Sequence, residues 1–380
     1  MMTLIQEPGR EAALRRFEQT SAPEKSVETW RRLPFDSWGI DRFTAEAASG
    51  PVTELSGGAG AELAVLEDAA GAHEALLSAS LTAGCAGPDF AKFEAANLAA
   101  WTGGAFVRVP KGKKIEEPIR ITFRHDASKP FQLPRAFVLL EEGAEAVIVE
   151  EHIGGSSSSL SFAQAEVRDG ASLRYFYTQE LPRDAAHFSH QRVTLGRDAR
   201  LDHTSILMGA KRHKSELEVI LNGRGAHSDL RGVLFGSGEQ FFDPHTQQLH
   251  RASNTTSDMH FRAALRDKAR SIYTGLIRVE RDALDCEAYQ QNKNLLLSDD
   301  ARADSTPVLE ILPDRVACKH GATAGPIDPN QLFYLAARGV SPAEAAEMLV
   351  MGFFEPVLER LPYEDMRERL RAAVAAEAVL

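Results

Sequence analysis

Apolar residues are spaced in two different ways along this chain, and the spacing divides it. From Ala105 onward apolar and polar residues alternate with a period of two, in AFVRVP, PIRITFRH and AFVLLEEGAEAVIVEE, with β-branched and aromatic residues at the apolar positions. Successive side chains of a strand face opposite sides, so this spacing predicts strands that bury one face. Residues 1–104 read mostly as helix instead: Glu11 to Gln19, Pro23 to Arg32, Gly71 to Thr82 and Asp89 to Trp101. Phe90, Phe93, Asn97, Leu98 and Trp101 fall on one side of the last of these, the spacing of a core stripe. Pro34 and Gly39 interrupt the helical pattern, and GPVTELSGGAGAEL is expected to form a loop or a poorly packed edge.

A helical period returns near the carboxy terminus. Asp328-Pro329 starts one helix and Gly339 ends it, and Ser341-Pro342-Ala343-Glu344 is a capping box. The helix that follows carries Ala345, Met348, Leu349, Gly352 and Phe353 on one face, Pro356 is expected to kink it, and a last helix ends near Ala376. That Met- and Phe-bearing face is either core or a surface for a partner helix.

Within the strand region a turn recurs. Glu142-Gly143-Ala144, Asp169-Gly170-Ala171, Arg197-Asp198-Ala199 and Arg224-Gly225-Ala226 place an alanine every 27 or 28 residues, with weaker echoes at Ala252, Ala269, Ala283 and Ala301. A strand-bearing repeat of this length with almost no helix predicts a β-solenoid of seven or eight coils. Its ends need covering. The helical flanks are the natural covers, and an uncovered final edge would instead pair with another subunit. The expected fold is therefore mainly β, a parallel solenoid core at 105–318 between helical domains at 1–104 and 319–380.

Composition narrows the class. With 43% hydrophobic and 26% charged residues the chain is neither disordered nor fibrous, and a net charge of -11 argues against a nucleic-acid binder. The tight basic group Lys111, Lys113 and Lys114 reads as a solvated turn. The first residues lack the apolar core of a signal peptide and no later run is long enough to span a membrane, so a cytoplasmic location is expected. Cys85, Cys286 and Cys318 are odd in number and far apart, which suits reduced thiols.

The chain has no GxxxxGK[ST] loop, no GxSxG elbow and no HExxH. Its richest polar stretch, FFDPHTQQLHRASNTTSDMHF, carries Asp243, His245, His250, Asp258 and His260, which form either a polar ladder or a metal or acid–base site. Paired carboxylates such as Asp243 and Asp258 would fit a solenoid carbohydrate-active enzyme. Cys318 and His320, one residue apart on one face of a strand, are half of a soft-metal site or else a buried thiol beside a hydrogen-bonded histidine.

Four segments, FDPHTQQLH, GLIRVERDALDCEAYQQNKNLLLSDDARADSTPVLEI, CKHGATAGPID and LFYLAARGVSPAEA, resemble the SufB/SufD family of iron–sulfur cluster assembly scaffolds. VETWRRLPF and NLAAWTGGAFVRVPKG resemble it more loosely. The likeness is nearer to SufD, since Asn292 stands where SufB carries a cysteine and Gly321 where SufB tends to carry an acidic residue. The resemblance implies a right-handed parallel β-helix that pairs with a SufB-like subunit and, through its carboxy-terminal helices, with the SufC ATPase. It also implies a non-enzymatic scaffold role, a transient iron–sulfur cluster in the assembled complex, and none in the isolated chain. His320 would be a cluster ligand, Cys318 a weaker candidate, and Met348 and Phe353 the contacts for SufC. A homodimeric scaffold acting without SufB is the other reading within the family.

Overall fold

The alternation that begins at Ala105 winds into eight coils, each giving one strand to each of two facing sheets. In this computed structural model, which describes residues 7–24, 26–33, 35–73, 75–77, 87–155 and 157–378, the first sheet runs in parallel order from Ala105–Val109 to Arg302–Ile311. The second runs from Ile119–His125 to Val316–Pro326. Inward-facing aliphatic and aromatic residues, among them Val107, Ile121, Leu173, Leu201, Leu230 and Tyr273, form one continuous core between the sheets. The last strand carries the solenoid past the boundary expected at residue 318.

Register shows why the alanine turns recur. Glu145 pairs with Ser172, Ser172 with Arg200 and Arg200 with His227, at offsets of 27, 28 and 27 residues. Gly143, Gly170, Asp198 and Gly225 all take positive φ, between 54° and 74°, the region where glycine costs nothing and Asp or Asn costs little. Each following alanine, Ala144, Ala171, Ala199 or Ala226, is fully buried because the tight turn leaves room for a methyl and no more. In later coils the offset grows to between 29 and 31 residues. There Asn254 and Asp285 keep the positive φ, but Thr255 and Cys286 fill the buried place. The weaker echoes are thus not one series: Ala252 is only half-buried, and Ala269 and Ala301 close turns on the opposite side of the solenoid.

The helical flanks do not cap the two ends. The amino-terminal segment lies on the outer face of the first sheet, where Trp30, Trp38, Phe90 and Phe93 pack on Phe162 and Phe188. Asn97 locks it down: its Nδ2 donates to the carbonyls of Pro134 and Leu160, and its Oδ1 accepts from Arg135 Nε at 2.8 Å. Phe90, Phe93, Asn97 and Trp101 are buried as the stripe predicts, while Leu98 is only partly so.

Two local expectations are corrected. Among the described residues of Pro23–Arg32 the expected helix is replaced by the single 3-10 turn Glu28–Trp30, because sinking Trp30 into the aromatic cluster, with its Nε1 donating to the Asp89 carbonyl, fixes the chain there. The glycine-rich stretch holds strands Val52–Ser56 and Glu62–Val65, which pair antiparallel with Ile119–His125 and Ala105–Val109. They close the first end of the solenoid. Cys85 and part of the helix expected over Gly71 to Thr82 lie outside the described residues.

The carboxy-terminal helices Pro342–Leu358 and Glu364–Ala378 lie on the outer face of the second sheet. Val350, Phe354, Val357, Leu361 and Leu370 pack on Val149, Phe176, Ile206 and Phe235. Ion pairs fasten them, Arg360 to Asp202 and Asp229, and Arg369 to Glu151 and Glu180. Ser341 and Glu344 form the reciprocal cap. No described helix is long and apolar enough to cross a membrane.

The last coil as the candidate functional site

Among the described residues nothing covers the far end of the solenoid. The strands Arg302–Ile311 and Val316–Pro326 each pair on one side only, and the helix Pro329–Ala336 that follows buries none of its residues. Phe333 is 76% exposed and Tyr334 58%. An open strand edge and bare aromatic residues are features that monomeric proteins avoid.

Cys318 and His320 lie in the last strand, in register with Ala288 and Gln290, both of which face the interior. The pair therefore sits over the open mouth of the solenoid core. Cys318 is half-buried against that core, and burial together with the nearby Cys286 thiol raises its pKa, which favours a packed thiol over a reactive thiolate. His320 is exposed and makes no side-chain hydrogen bond among the described residues. Beneath it Gln290 is buried with both amide atoms unpartnered, and Asn294 Oδ1 and Ser305 Oγ are unpartnered as well. Asn292 is buried, donating to the Phe261 carbonyl. The mouth thus offers one accessible imidazole above a layer of polar groups.

The polar stretch from Phe241 to His260 is divided among three environments. Asp243 and His245 face outward on the first sheet, beside Lys214 and Glu216 of the preceding coil. Lys214 Nζ, fully buried, lies 2.6 Å from Asp243 Oδ2 and 3.3 Å from His245 Nε2. His245 also contacts Asp243 Oδ1 at 2.8 Å and Glu216 at 3.5 Å. Burial pushes the Asp243 carboxyl up, but Lys214 and His245 outweigh it and hold the pKa at about 2. Lys214 also lies over the Trp30 ring at 5.2 Å, tying this network to the amino-terminal segment.

Asp258 and His260 lie on the second sheet, 2.8 Å apart, with Arg231 on the carboxylate. His250 points into the core, against Thr255 and Ser257. Asp243 and Asp258, being on different sheets, do not form the carboxylate pair a glycosidase needs. Among the described residues no three His, Cys, Asp or Glu side chains come together as a metal site.

Met348 and Phe353 do not share one free face with Ala345, as the helical spacing predicts. Ala345 is buried, Phe353 is half-buried under the Arg262 guanidinium at 5.4 Å, and Met348 alone is well exposed, at 54%. The buried face of that helix is turned toward Val350, Phe354 and Val357 instead.

Sequence reasoning missed a group of interior histidines. His125, His152, His187 and His213 stack inside the solenoid with ring centroids 5.0 to 5.6 Å apart between neighbours. Glu150 accepts from His152, and Tyr177 bonds His187. His125 and His152 lie on neighbouring strands of the second sheet, 27 residues apart, and His187 and His213 on neighbouring strands of the first, 26 apart; each pair keeps the coil spacing, and the step from one sheet to the other hides the group.

Comparison with known proteins fits this architecture. The family model described as SUF system FeS cluster assembly, SufBD core domain, matches residues 123–353. Iron-sulfur cluster assembly SufBD family proteins of Staphylococcus saprophyticus, Staphylococcus epidermidis and Staphylococcus aureus are each 30% identical over 277 residues, covering 72% of this chain. The match spans 60% of the length of each relative. With its parallel solenoid, its open last coil and a match over most of that solenoid, the chain belongs to the SufBD family of iron–sulfur cluster assembly proteins.

Proposed function

We propose that this chain is a SufD-like, non-enzymatic scaffold subunit that pairs through its open last coil with a SufB-like partner. An iron–sulfur cluster, the cargo of the system, is assembled at that junction. The observation that carries this reading is the position of His320: exposed, free of protein partners, and set over the mouth of an uncapped solenoid. A neutral imidazole is a competent iron ligand. One such ligand cannot hold a cluster alone, so the remaining ligands come from the partner, and the isolated chain retains no stable cluster. Assembly takes place in the cytoplasm on this reading, and a SufC-like ATPase supplies the work of rearranging the interface.

The test is His320→Ala in cells where this system is the sole route to iron–sulfur enzymes. Co-purification of the SufB-like partner is expected to persist while maturation of client enzymes is lost. Cys318→Ala is expected to cost only about 1 kcal/mol of stability and to leave maturation intact. Normal client maturation in the His320→Ala strain would make His320 a surface residue with no role in the cargo site.

The SufC-like ATPase docks on the carboxy-terminal helices in this proposal. Met348→Asp is the clean probe, since its side chain is exposed and the helix is held by other residues; Phe353→Asp also disturbs the Arg262 contact. In a pull-down, Met348→Asp is expected to lose the ATPase and keep the SufB-like partner. Unchanged retention of both would place the ATPase on another surface.

A further inference from the structure

Away from His320, on the first-sheet side of the last two coils, one cavity combines a surplus of positive charge with a shape that admits a small ligand. It opens on the outer face of the first sheet beside the amino-terminal segment, holds about 450 Å³, and is lined by Arg32, Phe241, Arg270, Ser271, Arg302 and Asp304 among others. That size lies within the range of small-molecule sites.

Arg270 and Arg302 are register partners on adjacent parallel strands. Like charges placed directly opposite each other on a sheet destabilise it. Among the described residues neither makes an ion pair. Arg302 Nη1 instead donates to the carbonyls of Asp299 and Ala301, which orients the guanidinium without neutralising it. Arg32 reaches the same cavity from the amino-terminal segment, and the carboxylate nearest to it is Asp304, at 3.8 Å. Three guanidiniums therefore face one carboxylate, in a chain whose net charge is -11.

Guanidinium forks bind the oxygens of carboxylates and phosphoryl groups two at a time, and several forks around one pocket suit the more highly charged phosphoryl group. The surroundings limit the ligand to one anionic end. A smaller cavity of about 180 Å³ continues from Arg32, but Glu28 and Asp243 line it and would repel a second negative group. An acidic peptide would need the positive lining to extend further. Phe241 gives the larger cavity an aromatic wall for an uncharged body.

We propose that this cavity binds the phosphoryl end of a small molecule, either the free anion or a phosphorylated metabolite. The proposal does not involve His320, which lies on the other strand of the last coil. Calorimetric titration of the full chain at low salt, with inorganic phosphate, pyrophosphate, ADP and adenosine, tests it.

Phosphate, pyrophosphate and ADP are expected to compete for one site while adenosine gives no heat. ADP binding more tightly than phosphate assigns the site to a phosphorylated metabolite; equal binding assigns it to the bare anion. The exposed pair Arg270→Gln and Arg302→Gln, combined, is expected to weaken pyrophosphate by about tenfold or more. Asp304→Asn is expected to tighten it several-fold, a gain that misfolding cannot imitate. The proposal is overturned if no phosphoryl ligand binds at millimolar concentration. It is equally overturned if binding is indifferent to all three substitutions, or if a poly-glutamate peptide binds while the phosphoryl ligands do not.

Discussion

Acidifying the purified chain from about pH 7.5 to about pH 5 is expected to remove several kcal/mol of its unfolding free energy. The cause is the set of histidines buried as neutral rings. Burial pushes His190, His203 and His213 down to about 3 and His250 to about 4, and drives His125 and His187 well below their ordinary value. In the unfolded chain each takes up a proton near pH 6.5. Stability from these groups is therefore complete above about pH 6.5 and falls as pH drops toward about 3, the share of His250 levelling off first, near 4. An imidazole that stays neutral in the folded chain at pH 5 costs about 2 kcal/mol there. Carboxyls raised by burial, Glu180, Glu216 and Asp229, work in the opposite direction and return part of the loss. The check is a urea midpoint measured across this window. A flat midpoint would mean that the folded interior accepts protons freely.

The second large effect is expected at Lys214. Lys214→Met leaves the Asp243 carboxylate buried with His245 as its remaining side-chain partner, and should cost about 3 kcal/mol, the lower end of the range for breaking a buried pair. The double variant Lys214→Met, Asp243→Leu removes both charges and is expected to recover most of that loss. If the double variant is as unstable as the single one, the deficit lies in the lost cation–π packing on Trp30 and Phe90 rather than in the orphaned carboxylate. Denaturant melts followed by tryptophan fluorescence read this out, because Trp30 sits on the same network.

Much of this architecture is legible in the chain because a solenoid repeats one local problem. Every coil must turn tightly at the same height, and a positive-φ residue followed by a small buried one solves it, so Gly143-Ala144 and its successors announce the fold. The signal fades where coils lengthen and Thr255 or Cys286 replaces alanine, although the structure continues unchanged. Local reading fails where distant residues decide. The 3-10 turn at Trp30 is set by Asp89, Phe93 and Phe188, none of which is near it in sequence. Asp243, His250 and Asp258 look like one cluster because they are close in sequence, yet a strand's alternation and one turn send them to two sheets and the interior. For His320, the helical flanks predict a covered end, and only the three-dimensional path of those flanks leaves it open.

Pro307 lies at the centre of the exposed strand Arg302–Ile311. The amides of Arg302 and Leu312 donate back to Ala269 and Val279. By alternation the amides of Ala303, Ser305, Leu309 and Ile311 point outward, and Pro307 interrupts their row without a donor of its own. The companion edge Val316–Pro326 meets no proline before its last residue. A strand arriving from a partner thus finds an unbroken line of donors on one sheet and a gap on the other, so the two halves of this end are not equivalent docking sites, and the edge bearing His320 is the one able to zip along its full length.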